Sequence, residues 1–146
     1  MEFEVITLDW KIIKDVEDIK NLSPDSGVYQ IYGDSPIYGR DTLLYIGKAS
    51  NFKNRVNGHI SNIESFITRQ PNINFRFAKV ELNLLSIVEQ ILIVMHKPSF
   101  NSANIIEISS KAKQKGYYIQ NHGKRGLLHL EVTNFYFFNQ TNNQCI

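Results

Sequence analysis

Apolar and polar residues alternate over Val28–Tyr32 and again over Ile73–Val80, the two-residue period of strands with one buried face. In the second of these, Phe75 and Phe77 fall on one face and Arg76 on the other. Thr42–Ile46 reads as a further strand running into Gly47, and Phe3–Leu8 as a strand or extended piece. A short helix is predicted near Lys14–Leu22, followed by a dense turn signal at Ser23-Pro24-Asp25-Ser26-Gly27. Gly33–Arg40 is a hairpin-type loop. From about Phe52 to Thr68 the period changes to that of a helix, with Ser50 or Asn51 as its cap. Phe52, Val56, Ile60, Ile63 and Ile67 lie within roughly 80° of one another there. Leu84–Met95 is apolar at nearly every position, the mark of a helix buried on most sides, and Pro98 closes it. Beyond Ser102 the pattern predicts a short helix near Ile106–Gln114 and a strand near Tyr117–Gln120. A turn at Asn121–Gly126, a final apolar strand over Leu127–Phe138 and a frayed polar tail follow.

The 146 residues suit one domain whose core needs no staples. No internal repeat is present. Hydrophobic residues make up 42% and charged residues 21%, which excludes disordered and fibrous classes. The lone Cys145 rules out an internal disulfide and a cysteine zinc site, and the four histidines lack metal-ligand spacing. A net charge of +2 is far below that of a purely electrostatic nucleic-acid binder. No apolar run is long enough to span a membrane, and MEFEVITLDW lacks the basic start of a signal peptide. The expected compartment is the cytosol, without a membrane partner.

Two features carry candidate chemistry. Glu89 is the one carboxylate within the apolar helix, where an unpaired charge costs several kcal/mol. It is either at a solvent edge, or salt-bridged to Arg55 or Lys97, or a ligand for a divalent metal such as Mg²⁺. The second feature is Tyr45-Ile46-Gly47-Lys48 with Asn51, Lys53 and Arg55 just after it. A strand that ends in Gly-Lys and enters a helix offers backbone amides and cations to an anion. It is not a nucleotide-binding P-loop, because Gly-x-x-x-x-Gly-Lys is absent. Arg55 and His59, four apart, stack on one helix face.

Taken in order, Gly27-Val28-Tyr29, Tyr45-Ile46-Gly47, Arg55, His59, Glu89 and Asn101 form a pattern that resembles the GIY-YIG endonuclease superfamily. The resemblance covers Gly27 to Asn101, about half the chain, and matches at Tyr29, Tyr45, Gly47, Arg55, His59, Glu89 and Asn101. Val28 replaces the isoleucine of the first triad, and the loop between the triads is somewhat longer than usual. Neither departure removes a chemical group. The resemblance implies an α/β (α+β) fold, a small three-stranded antiparallel sheet flanked by helices. Residues 1–101 would be the nuclease core with its lead-in, and residues 102–146 a strand-containing extension packed on the same domain. It also implies Mg²⁺-dependent hydrolysis of phosphodiesters in duplex DNA, with Mn²⁺ as a substitute. Glu89 would hold the metal, and Arg55 a non-bridging phosphate oxygen. Tyr29 would orient or deprotonate the attacking water; the latter requires a cation-rich site to lower a pKa of about 10. His59 is the alternative base. Tyr45 would position the phosphate, and Gly47 would allow close backbone approach. Asn101 would tie its loop to the site by hydrogen bonds. Lys48 and Lys53, with Arg40, Arg69 and Arg76, are candidate DNA-backbone contacts.

A standalone endonuclease of restriction, phage or mobile-element type is the leading expectation, since the chain has neither the length nor the cysteines of the repair enzymes. A structure-specific repair nuclease and a catalytically inactive binding module are the alternatives; no catalytic group is missing. With one site per chain, the expectation is either a homodimer on DNA, which is favoured, or predominantly nicking by a monomer. The run Phe135-Tyr136-Phe137-Phe138, taken as a strand with two apolar faces, points the same way.

Overall fold

The computed structural model describes residues 2–13, 25–55 and 71–139. The architecture is α+β. Strands β1 (Phe3–Ile13), β2 (Gly27–Ser35), β3 (Gly39–Ala49) and β4 (Asn74–Lys79) are followed by helix α1 (Leu85–His96). Then come β5 (Gly116–Gly123), β6 (Glu131–Thr133) and the short helix α2 (Phe135–Asn139). The strands form one mixed sheet in the order β3-β2-β4-β1-β5-β6. The expected three-stranded antiparallel unit is present as β3-β2-β4, but it is only half of the sheet. β1 continues it antiparallel to β4, and β5 then pairs parallel to β1 from Phe3↔Gly116 to Trp10↔Gly123. Residues far apart in the chain make that join. Trp10, fully buried, donates its indole N–H to Asn121 Oδ1 at 2.9 Å.

The two faces of the sheet carry separate cores, as a two-residue period demands. Val28, Ile46, Ala78, Trp10 and Ile119 meet the apolar residues of α1 on one face. Tyr29, Ile31, Ala49, Phe52 and Phe75 cluster on the other. α1 is buried at Leu85, Ile87, Val88 and Ile91–Val94 because it lies between the sheet and the elements that follow it. No helix of the described residues is long and apolar enough to cross a membrane.

The C-terminal segment departs most from its hydrophobic pattern. Leu127–Phe138 is not one strand: three residues form β6, and Phe135–Phe138 lie in α2. Asn134 makes the break. Fully buried, it accepts the Tyr117 N–H at 2.8 Å and donates to the Ala112 and Lys115 carbonyls. Thr133 Oγ1 then accepts the Phe135 N–H at 3.2 Å, and Phe137 turns into the main core. The aromatic run therefore gives no two-faced strand, and that motive for a homodimer falls away. Ile106–Gln114 is likewise not a helix; only Lys111–Lys113 form a 3₁₀ turn. The helix expected at Lys14–Leu22 lies outside the described residues, as does the Phe52–Thr68 helix beyond its first turn at 52–55.

Candidate active site

β3 is an outer strand of the sheet, and its free edge organises the site. Antiparallel pairing with β2 leaves alternate backbone groups pointing outward, and a bare edge is costly or sticky. Here they are taken in sequence. Leu44 C=O accepts the Phe100 N–H at 2.8 Å. Asn101, 9% exposed, receives the Ile46 N–H and donates to the Ile46 C=O, both at 2.9 Å. The Lys48 N–H hydrogen-bonds the Glu89 carboxylate. One side chain and one helix thus fix β3 from Leu44 to Lys48. Asn101→Ala should cost about 1–3 kcal/mol, because it strands two buried backbone groups. Urea melts of the variant check this; a loss under about 0.5 kcal/mol would refute the assignment.

Tyr29 and Gly47 face each other across β2 and β3. A Cβ at Gly47 would collide with the Tyr29 ring and hydroxyl, so the glycine makes room for the phenol rather than for substrate. An aromatic ring laid over a cross-strand glycine is a common way to shelter it. This locks Tyr29, fully buried at its ring, with its hydroxyl toward Arg55. Arg55 Nε donates to that hydroxyl at 3.1 Å, and its guanidinium also hydrogen-bonds Tyr45. The two tyrosine rings stand 6.1 Å apart, tilted by 36°. Arg55 is brought there by the helical turn at 52–55, whose start is capped by Asn51 Oδ1 accepting the Asn54 N–H at 3.2 Å. Burial pushes the Tyr29 pKa up to about 12, against the lowering effect of the Arg55 hydrogen bond. The cationic neighbour therefore does not produce the lowered phenol that base action requires. Desolvation wins.

Glu89 reaches the same edge from α1, on the other face of β3. Its side chain is 15% exposed, and burial raises its pKa against the opposing effects of Lys48 and Arg55. The Lys48 ammonium stands 3.9 Å from Glu89 Oε1 and donates to Ser86 Oγ at 2.6 Å. Lys97 is not its partner: that ammonium donates to the Val94 and Ile105 carbonyls. Lys48 and Arg55, with Ser50, Asn51 and Asn54, line a cleft of about 320 Å³. Lys53 is exposed beside it. Arg40 is exposed in the β2–β3 hairpin. Arg76 lies over the Tyr32 ring at 4.7 Å and donates to the Lys124 carbonyl, and it does not line this cleft. His59 and Arg69 lie outside the described residues. Ser86 was not singled out by the sequence, although its spacing of three from Glu89 places both on one helix face.

The family model described as the UvrC-like GIY-YIG domain matches residues 25–102, which hold Tyr29, Tyr45, Gly47, Arg55, Glu89 and Asn101. The chain belongs to this family. Among curated relatives, the UvrABC system protein C of Maricaulis maris is 35% identical over 97 residues, 62% of this chain. That of Helicobacter pylori is 35% identical over 78 residues, 53% of the chain. The matches take in 14% and 12% of those relatives' own lengths. Among solved structures, the GIY-YIG N-terminal endonuclease domain of UvrC from Thermotoga maritima, bound to magnesium, is similar at 22% identity. That likeness covers 59% of this chain and 93% of that one, with a TM-score of 0.47. Strands β2, β3 and β4 and helix α1 all fall inside the matched span.

Proposed function

We propose that this chain is a divalent-metal-dependent endonuclease that cuts one DNA strand in a structure-specific repair reaction. The observation that carries it is the meeting of Tyr29, Tyr45, Arg55, Lys48 and Glu89 along the β3 edge. The likeness to UvrABC system protein C favours the repair alternative over the restriction or mobile-element role that length and cysteine content had put first. Residues 1–101 serve as the nuclease core and 102–146 as an extension of the same domain. The eight-residue register of β5 on β1 supports reading that extension as part of the same domain.

The donor set suits Mg²⁺. Mg²⁺ is commonly held by one or two carboxylates, water and substrate phosphate. Glu89, one face of its carboxylate anchored by the Lys48 N–H, would hold it. When bound, the metal neutralises charge on the phosphoryl group and the leaving 3′ oxygen.

The protein's own groups do the rest. Arg55, fixed by two tyrosine hydroxyls, turns its remaining N–H donors to a non-bridging phosphate oxygen. Lys48 adds a second positive charge at the cleft mouth. Tyr29 keeps its proton at neutral pH, accepts from Arg55 and orients the attacking water as a neutral hydroxyl. Tyr45 bears on the same guanidinium. Proton removal from the water then falls to another group, for which His59 is the candidate. Gly47 and Asn101 hold the geometry without touching substrate.

Digestion of supercoiled plasmid with Mg²⁺ or EDTA tests the reading, alongside duplex oligonucleotides with and without an unpaired bubble. Expected are Mg²⁺-dependent nicked circles and faster cutting of the bubble substrate. Linear product formed at first order in enzyme with no nicked intermediate would refute single-strand cutting.

A further inference from the structure

We infer that Ser86 is a positioning residue: its hydroxyl holds the Lys48 ammonium off Glu89, so that the carboxylate stays available to a divalent cation and the ammonium to a phosphate. This rests on the metal reading of Glu89 given above. A lysine beside a half-buried carboxylate ordinarily closes to a charge-assisted hydrogen bond of about 2.7–2.9 Å. Here the separation is 3.9 Å, too long for one. The ammonium spends a donor on Ser86 Oγ instead, at 2.6 Å. Ser86 and Glu89 project from the same face of α1, one turn apart, and Lys48 lies across from both on β3. The Lys48 N–H is already bound to the same carboxylate, so the residue grips Glu89 through its backbone while its side chain is drawn to one side.

Without the hydroxyl, Glu89 Oε1, 3.9 Å away, is the partner left to the ammonium among the described residues. Ser86→Ala should therefore weaken divalent-ion binding by competition, and Ser86→Thr, which keeps the hydroxyl, should not. Ser86 is exposed and alanine favours helix, so the variant folds. Calorimetric titration of the DNA-free protein with Mn²⁺ reads the effect. Expected is a loss of affinity of about three- to fivefold in Ser86→Ala, the scale of a surface ion pair, with Ser86→Thr near wild type. A second readout needs no metal. In EDTA, the melting-temperature coupling between Lys48→Met and Glu89→Gln should grow by about 2 °C or more in the Ser86→Ala background. Unchanged Mn²⁺ affinity in Ser86→Ala, a threonine variant as weak as the alanine one, or no growth in coupling each overturns the role. Failure of the wild-type protein to bind Mn²⁺ better than Glu89→Gln overturns the metal reading itself, and this role with it.

Discussion

Glu89→Gln is expected to reduce Mg²⁺-dependent cleavage by at least about 10²–10³-fold while the fold persists, the loss typical when one preorganised charge-stabilising group is removed. The amide oxygen can still accept the Lys48 N–H, so β3 keeps its edge contact. What disappears is the negative charge. Its absence should also raise the melting temperature in EDTA, and the sign follows from linkage. Burial raises the folded-state pKa of Glu89 above its ordinary value, so the fold favours the protonated form. The stability this gives is complete below the ordinary carboxyl pKa and is lost as pH rises through the folded-state value. At pH 7–8 the ionised carboxylate is a cost that glutamine removes, and the variant's advantage should vanish as pH falls toward 4. With Mg²⁺ added, the ranking should reverse, because only the wild type gains from binding. Thermal melts across pH, with and without Mg²⁺, measure both. A folded Glu89→Gln protein that cleaves at a near-normal rate would end the metal assignment.

Arg55→Ala and Tyr29→Phe should each slow cleavage by about 10²-fold or more, with smaller losses in DNA binding. Arg55 stabilises charge that grows in the transition state, so its loss belongs in the rate more than in affinity. Tyr29→Phe removes only the hydroxyl and leaves the ring over Gly47, so the packing survives and Arg55 Nε loses its acceptor. The pH profile separates orienting from base action. With a pKa of about 12, about one Tyr29 phenol in 10⁵ is ionised at pH 7. A neutral orienter predicts a rate that does not climb tenfold per pH unit between 7 and 9, as an ionised tyrosine would demand. His59→Ala, by contrast, should flatten whatever rise occurs near pH 6–7. Equal losses in binding and turnover for Arg55→Ala would mark that side chain as a DNA anchor only.

The amino-acid sequence by itself determined the parts of this site that depend on spacing. The apolar run that becomes α1, the alternation of β2 and β4, and the order of Tyr29, Gly47, Arg55, Glu89 and Asn101 are local signals, legible without coordinates. Tertiary structure decided the rest, because the deciding contacts join distant residues or change solvation. Nothing local says that β5 pairs parallel with β1, or that the buried Asn134 cuts an apolar run into a strand and a helix. Nor does spacing reveal that the outward edge of β3 must be satisfied, which is what brings Asn101 and Glu89 to one line. The tyrosine pKa shows the limit most clearly. On the sequence alone, base action by Tyr29 requires a cation-rich site that lowers its pKa. Only the packing of that ring against Gly47 removes enough water for desolvation to outweigh the neighbouring charge.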